Sequence, residues 1–346
     1  MTNKSKAEKL RIIIHGCGNV GQRVTRFCDL KGWEIVAAYN RAGDKVGQDL
    51  GRLAGLDKDI GVIVEDVDRI ELSRKAADIT VMATTTSDLL EPIYSACEKY
   101  LSLGINVIVH GSQSHNPFFD DPDVAVKIER IARANQVTFS GSTIWDSTRI
   151  WSGILVAGNC VKIESLVHTA TGEPGRQNPL YEAGVGIGMT VEDFTAKYAD
   201  DPHPLQKFLH GPPVMVLQHL GCTISNVQKH CEPIVLEMPM YSPHTKREYP
   251  AGVIGGVRVV VEVDTEEGIK GLAQVEYRLF QEGEEELMHW KAIGLPGMEI
   301  SVNREDAANL SAASIFNRIP DVIAARPGIV EIFSKEMGPM SSTALL

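Results

Sequence analysis

The sequence predicts an α/β protein: a doubly wound parallel sheet in the first part of the chain, followed by a separate α+β domain. Three observations support this prediction. The chain has 346 residues, which is too long for one ordinary hydrophobic core. Over roughly its first 145 residues, short β-branched runs alternate with helical periods. After about residue 150, period-two alternation takes over, as in a sheet with one covered face.

The strands predicted in the first part are apolar on both faces, which is typical of buried parallel strands. They are "RIIIHG" (11–16), "WEIVAAYN" (33–40), "ADITVMAT" (77–84), "INVIVHG" (105–111) and "QVTFSGS" (136–142). Helices are predicted between them at 88–104 and 120–136. In the second of these helices Asp121 is the expected cap and Pro122 the first helical residue.

The second part is predicted as a mixed or antiparallel sheet with inserted helices. Its strands are expected at 161–170, at "IVLEMPMY" (234–241), at 257–264 and at 271–280, and its helices at 190–198 and 204–221. A last helix at 306–328 is expected to return to the first domain. The predicted divisions are a dinucleotide-binding domain at 1–148, a substrate and dimerisation domain at 149–303, and a C-terminal helix with a tail at 304–346.

Composition excludes several classes of protein. Hydrophobic residues make up 43% and charged residues 23%, and the net charge is −11 with no run of lysines or arginines, so a nucleic-acid or anionic-membrane surface is not expected. No stretch approaches the roughly 20 apolar residues of a membrane span. The six cysteines are scattered, as in a reducing cytoplasm. The four histidines and cysteines between 219 and 231 match no standard zinc spacing, so no metal is expected.

A glycine-rich turn joins the first strand to the first helix. Gly16, Gly18 and Gly21 form GxGxxG there, with Asn19 and Val20 between the last two glycines. The first glycine makes the turn, the second admits a pyrophosphate, and the third lets the helix pack closely on the sheet. Because a strand precedes the motif and an amphipathic helix follows it, we expect a Rossmann-type dinucleotide site.

The end of the second strand indicates which dinucleotide binds. An acidic residue there would bind the ribose hydroxyls of NAD, but this chain has Asn40 and Arg41, with Lys45 close by. A guanidinium suits a 2′-phosphate, so NADP is favoured and NAD stays possible. The alternative is that Arg41 stacks on the adenine or points to solvent.

Further cofactor contacts are expected where other strands of the sheet end, because ligands of doubly wound sheets lie beyond the carboxyl ends of the strands. Thr84 and Thr85 offer small hydroxyls for the ribose and phosphates. Gly111 and Ser112 follow the next strand.

Four residues are candidates for catalysis. His110, Gln113 and His115 share one loop, and Asp146 follows the last strand of the first part. A histidine transfers protons near neutral pH without perturbation, which suits hydride transfer to a carbonyl or imine carbon. The alternatives are that His110 is a strand-end residue, that His115 is solvated, and that Asp146 caps a helix.

Several segments resemble one family over nearly the whole chain. "HGCGNVG", "GDKVGQDLGRLAG", "GINVIV", "GVGIGMTVEDF" and "IFNRIPDVIAARPGIV" are similar to the 2,4-diaminopentanoate dehydrogenases and related native amine dehydrogenases, which share a dihydrodipicolinate-reductase-type Rossmann domain. The resemblance implies a homodimer and a reversible NAD(P)-dependent oxidative deamination, with the ketone and ammonia as products.

Two departures from the family keep alternatives open. Ser112 and Gln113 stand where amine-deaminating members carry a glutamate, and glutamine cannot take a proton. The double-histidine and lysine motif of dihydrodipicolinate reductase is reduced to His168. The hypotheses are an amine dehydrogenase, a reductase of a preformed imine or ketone, and a dinucleotide-binding protein without catalysis. The expected partner is a small-molecule amine, imine or ketone.

Overall fold

The computed structural model describes residues 9–69, 76–84, 89–177, 179–200 and 202–338. The chain divides into two compact units. The first contains Met1–Ile144 and Asn309–Leu346, and the second contains Trp145–Ala308.

The first unit opens with alternating strands and helices. In chain order they are β1 (Arg11–His15), α1 (Asn19–Lys31), β2 (Glu34–Asn40), α2 (Leu50–Leu53), β3 (Val64–Asp66), β4 (Ile79–Met82), α3 (Tyr94–Ser102), β5 (Asn106–Val109), α4 (Pro117–Asp120), α5 (Pro122–Ala134) and β6 (Thr138–Gly141). Helix α5 begins as predicted, because the Asp121 side chain accepts a hydrogen bond from the backbone N–H of Val124 at 3.2 Å.

The second unit opens with a π-helix over Asp146–Trp151. It continues with α6 (Ser152–Ala157), β7 (Lys162–Gly172), α7 (Pro174–Gln177), α8 (Leu180–Gly184), α9 (Val191–Lys197), α10 (Gly211–His219), β8 (Ile224–Val235), β9 (Met240–Ser242), β10 (Arg247–Tyr249), β11 (Ile254–Thr265), β12 (Lys270–Arg278), β13 (Glu286–Leu295) and β14 (Met298–Arg304). The chain then forms α11 (Ala307–Ala324) and β15 (Gly328–Ile329), and most of α11 and all of β15 belong to the first unit.

The first unit is built on a seven-stranded sheet in the order β15-β6-β5-β4-β1-β2-β3. Its neighbouring strands pair in parallel. Ile12 and Ile14 pack on one face with residues of α1 and α11, and Ile13 packs on the other with residues of α3 and α5. This is the predicted doubly wound Rossmann-type sheet, and the prediction is confirmed.

The second unit contains a six-stranded sheet in the order β14-β13-β7-β12-β11-β8. β7 and β12 are parallel and the other pairs are antiparallel, so the sheet is mixed, as expected. Val257, Val259, Val261 and Val263 of β11 are buried inside this unit, so this alternate set of apolar side chains does not form an exposed face for a dimer.

The structure corrects the predicted elements in three further places. The segment 234–241 is not one strand, because β8 ends at Val235 and β9 begins at Met240. The helix expected at 204–221 consists of a 3₁₀ turn over Pro204–Lys207 and a separate α10. Asp146 does not cap a helix, because Trp145 occupies the cap position. In the part of the chain that the structure describes, no helix is long and apolar enough to span a membrane.

Candidate functional site

The glycine turn after β1 has three sterically distinct positions. Gly16 has φ +101°, and a Cβ there would lie 2.3 Å from the carbonyl oxygen of Ala83. A Cβ at Gly21 would lie 2.1 Å from the carbonyl oxygen of Gly16. A Cβ at Gly18 would meet no atom of the described residues within 4 Å. Internal packing therefore requires glycine at 16 and 21, whereas the open space at Gly18 fits the approach of a pyrophosphate.

The N-terminus of α1 fits an anion. Gly18 is the cap residue, and no side chain of the described residues caps the helix. The first-turn amides at Asn19 and Val20 are therefore the groups that a phosphate would meet. The turn is held from both sides, since the Asn40 Oδ1 accepts from the Cys17 N–H at 3.2 Å and the Gln22 amide donates to the Cys17 carbonyl at 3.1 Å. Asn40 thus supports the turn in addition to standing at the end of β2.

A pocket of about 490 Å³ lies in the first unit beside this turn. Arg41 and Thr84, two of the residues predicted as cofactor contacts, line it, while Thr85 lies outside the described residues. Lys99 of α3 and Asp68 also line it. The pocket sits beyond the ends of β1, β2 and β4, where the adenosine half of a dinucleotide binds in such sheets.

His15 and Tyr100 line the same pocket, and neither was predicted from the sequence as a site residue. The His15 Nδ1 lies 3.0 Å from the Tyr100 hydroxyl, and His15 is only 6% exposed. Burial, with a smaller contribution from the Lys99 charge, lowers the pKa of His15 to about 4. This wall of the pocket is therefore uncharged at neutral pH. The position of His15 directly before Gly16 was the one local feature of the sequence that could have indicated its place beside the turn.

Two of the catalytic candidates lie on the loop after β5 and are partly buried. The His110 Nε2 lies 2.8 Å from the Ser311 hydroxyl of α11. The Gln113 Oε1 accepts a hydrogen bond from the Leu90 N–H at 3.0 Å. The Gln113 amide thus holds the segment that follows β4, and the His110 imidazole has a hydroxyl neighbour for proton exchange.

His115 is fully buried on the same loop. Its Nδ1 lies 2.9 Å from the Gly111 carbonyl and 3.1 Å from the Ser112 carbonyl, so this nitrogen carries the proton. Its Nε2 lies 3.3 Å from the Thr143 hydroxyl. Both ring nitrogens therefore have partners within the fold, which suits a residue that holds the loop in place.

Two other predicted positions are buried. Ser112 is 9% exposed beside Gly111. Asp146 is fully buried in the second unit, where it opens the π-helix. Among the residues with coordinates described, no group of three or more histidines, cysteines or acids could hold a metal ion.

Comparisons with known proteins agree with this geometry. No model of a known protein family matches the chain. The 2,4-diaminopentanoate dehydrogenase of Acetoanaerobium sticklandii is 25% identical over 342 residues, covering 93% of this chain and 92% of that protein. The resemblance inferred from the motifs is thus confirmed as a similarity over nearly the full length.

Solved structures share the fold. The amine dehydrogenase from Mycobacterium smegmatis superposes with a TM-score of 0.82 at 24% identity, covering 94% of this chain and 96% of that one. The myo-inositol 2-dehydrogenase from Lactobacillus plantarum superposes with a TM-score of 0.56 at 13% identity, covering 91% and 88%. The chain therefore has the fold of a Rossmann-type dehydrogenase with a second, sheet-based unit.

Proposed function

We propose that the chain is an NAD(P)-dependent oxidoreductase that acts on the CH–NH₂ or C=N group of a small amine or imine. In the oxidative direction the substrate carbon loses a hydride to the nicotinamide and the nitrogen loses a proton. Hydrolysis of the imine then gives the ketone and ammonia. The observation that carries the proposal is the glycine turn, open at Gly18, in a chain similar over 93% of its length to a diaminopentanoate dehydrogenase.

NADP is the proposed cofactor. Arg41 and Lys99 bring two cationic side chains to one pocket, and Asn40 stands where NAD enzymes carry an acid. Asp68 opposes this preference, because its carboxylate lines the same pocket. The two cations outweigh it in number, and a 2′-phosphate would carry the complementary charge.

His110 is the proposed proton carrier. It is partly exposed, and its Nε2 lies 2.8 Å from the Ser311 hydroxyl, whereas His115 is fully buried. Gln113 is proposed to orient the loop because its amide oxygen accepts from Leu90 and its amide cannot take a proton.

A second candidate function is the reduction of a preformed imine or ketone. The glutamine at 113 favours it, because such a reaction needs no carboxylate to activate ammonia or water. A panel of amines, cyclic imines and ketones with NADPH or NADP, each with and without ammonia, separates the two. Ammonia-dependent ketone reduction supports the amine dehydrogenase, and turnover of imines alone supports the reductase. Binding of NADPH without turnover of any compound would instead indicate a dinucleotide-binding protein without catalysis.

Two variants test the proton carrier. His110→Ala should lose about 100-fold or more in rate, because a positioned acid–base group contributes that much. His115→Ala should chiefly lose stability, since the buried ring holds the Gly111 carbonyl. Thermal unfolding of both variants, measured together with the rates, distinguishes a loss of catalysis from a loss of stability. Full activity of His110→Ala would place the proton carrier elsewhere.

A homodimer through the second unit is also proposed. The outer face of the six-stranded sheet carries Val260 and Leu272 half-buried among polar side chains, and Leu287 and Ile293 exposed. Light scattering at micromolar concentration tests this, and a monomer would rule it out.

A further inference from the structure

One side chain of the pocket beside the glycine turn carries the wrong charge for a phosphate. Among the described residues that line this pocket, Asp68 is the one acid, and Arg41 and Lys99 are the lysine and arginine. Asp68 is exposed, and within the described part of the chain its carboxylate makes no ion pair or hydrogen bond. Because a carboxylate repels phosphates, its place in the pocket points to a different group of the ligand.

The order of the strands indicates which part of a dinucleotide would reach Asp68. β1, which leads into the glycine turn, is followed in the sheet by β2 and then by β3, with neighbouring strands about 4.8 Å apart. Asp68 lies in a 3₁₀ turn over Val67–Arg69, directly after β3. In doubly wound sheets the pyrophosphate lies at the turn after the first strand and the ribose at the end of the second. The base is the next part of the cofactor, so it would extend to the end of β3.

The other side chains of the pocket suit a flat, uncharged base. Much of the lining is apolar, and it comes from Val67, Met82, Pro92, Ile93 and Ala96. His15, on the same lining, is neutral at pH 7 because burial lowers its pKa to about 4. A base can bury its faces against such side chains and leave its edge for hydrogen bonds.

The turn after β3 leaves the Asp68 carboxylate available to a ligand. The Asp68 N–H donates to the Asp66 Oδ1 at 3.2 Å, and the Asp66 Oδ2 lies 3.5 Å from the Arg69 Nε. The neighbouring acid therefore supports the turn and pairs with its arginine, and Asp68 does neither.

We propose that Asp68 selects adenine as the base of the dinucleotide, because its carboxylate accepts a hydrogen bond from the 6-amino group of the ring. This inference rests on the proposed function for the presence of a dinucleotide in the pocket, but it does not depend on the reaction. An ionised carboxylate accepts hydrogen bonds and cannot donate them. The hydroxyls of Thr84 and Ser95 on the same lining can do either, so they do not distinguish an amino group from an oxo group.

The hypoxanthine analogue of NADPH tests the proposal, because it differs from NADPH only at this edge of the base. In the analogue an oxo group, which accepts hydrogen bonds, replaces the amino group and would face the Asp68 carboxylate. Both compounds carry the reduced nicotinamide, so fluorescence titration measures the Kd of each. NADPH should bind about 10- to 100-fold more tightly, as expected for a hydrogen bond to a charged group. Equal affinities for the two compounds would overturn the proposal.

Asp68→Asn tests the residue itself. The side chain is exposed, so the variant should fold normally. A carboxamide can donate to an oxo group as well as accept from an amino group, so the preference for NADPH over the analogue should fall to near one. The lost negative charge should change both affinities by the same factor, which cancels in their ratio. If the substitution alters only the ratio of NADPH to NADH affinities and the base preference survives, the carboxylate acts on the 2′-phosphate alone and the proposal is overturned.

Glu65→Gln is the matched control. Glu65 is exposed on β3, three residues before Asp68, and is not among the residues that line the pocket. This variant removes the same charge from the same end of the sheet and should keep the base preference. An equal loss of the preference in Glu65→Gln would show a general effect of charge and overturn the proposal.

The titrations separate this inference from the proposed reaction, because they require no turnover. If no amine, imine or ketone is turned over but NADPH is preferred to its analogue through Asp68, the proposed reaction fails and this inference stands. If amines are turned over and the two dinucleotides bind equally, the reaction stands and the role of Asp68 is refuted. Binding of neither dinucleotide would refute both.

Discussion

A methyl group at position 18 would test the glycine turn directly. Gly18 has φ −86° and ψ −159°, an extended conformation open to alanine, and its Cβ would meet nothing within 4 Å in the part of the chain that the structure describes. Alanine lowers the entropy of the unfolded chain but caps a helix less well than glycine, so these effects offset each other to within about 0.5 kcal/mol. Gly18→Ala should therefore fold normally.

Dinucleotide binding should nevertheless fall. The new methyl group would stand where the pyrophosphate must approach, and it would remove one charge-assisted bond to a first-turn amide, worth about 1.5–3 kcal/mol. Affinity should drop roughly 10- to 100-fold. NADPH fluorescence titration measures the affinity, and thermal unfolding measures the stability.

Gly21→Ala is the matched control. Its Cβ would lie 2.1 Å from the Gly16 carbonyl oxygen, so this variant should lose about 1–3 kcal/mol of stability or more, as overpacked sites do. Unchanged NADPH affinity in a well-folded Gly18→Ala protein would show that no pyrophosphate lies over this turn.

Two other predictions concern the pocket beside the turn. Arg41→Ala and Lys99→Gln should each weaken NADP(H) binding by about 1–3 kcal/mol and leave NAD(H) binding nearly unchanged, since each removes a cation proposed to face the 2′-phosphate. Calorimetric titration with both cofactors measures these affinities. A tenfold preference of the unaltered protein for NAD(H) would contradict the proposed NADP site. The pKa of His15 is lowered from 6.5 to about 4, so between these pH values the unfolded chain binds the extra proton and the contribution of His15 to stability falls as pH falls. The loss is on the order of 3 kcal/mol, and the difference between the unaltered protein and His15→Gln in denaturant melts between pH 6.5 and 4 measures it. The residual slope of the variant comes from His203 and His168, whose pKa values burial lowers, and from Glu331, whose pKa burial raises to about 7 and whose contribution has the opposite sign.

The sequence predicted those strands and helices in which buried apolar residues recur at regular spacing. β1 and β2 were found because they are apolar on both faces. β3 has three residues with one buried side chain, and β15 has two, so neither shows a period. β13 opens with the buried Glu286, whose ion pair with Arg304 lies across the β13–β14 register. An acid at a buried position interrupts the apolar alternation, and the partner that explains it comes from the next strand.

The same distinction between local and distant contacts applies to the candidate site. The glycine turn was predictable because its three glycines are consecutive parts of one strand–helix junction. His15 and Tyr100 are 85 residues apart, and His110 and Ser311 are 201 residues apart. Tertiary packing alone creates these pairs, and no spacing in the sequence indicates them.

The glutamine at position 113 limits which side chains of this loop can take a proton. A carboxylate at that place could accept a proton from ammonium or water, but a carboxamide cannot, and the Gln113 oxygen already accepts from the Leu90 N–H. The buried His115 directs one nitrogen to backbone carbonyls and the other to Thr143. Under the proposed function, His110 is the proton carrier of this loop, with the Ser311 hydroxyl 2.8 Å from its Nε2. Since an imidazole is neutral or charged near pH 7, one group can serve deamination as a base and imine reduction as an acid.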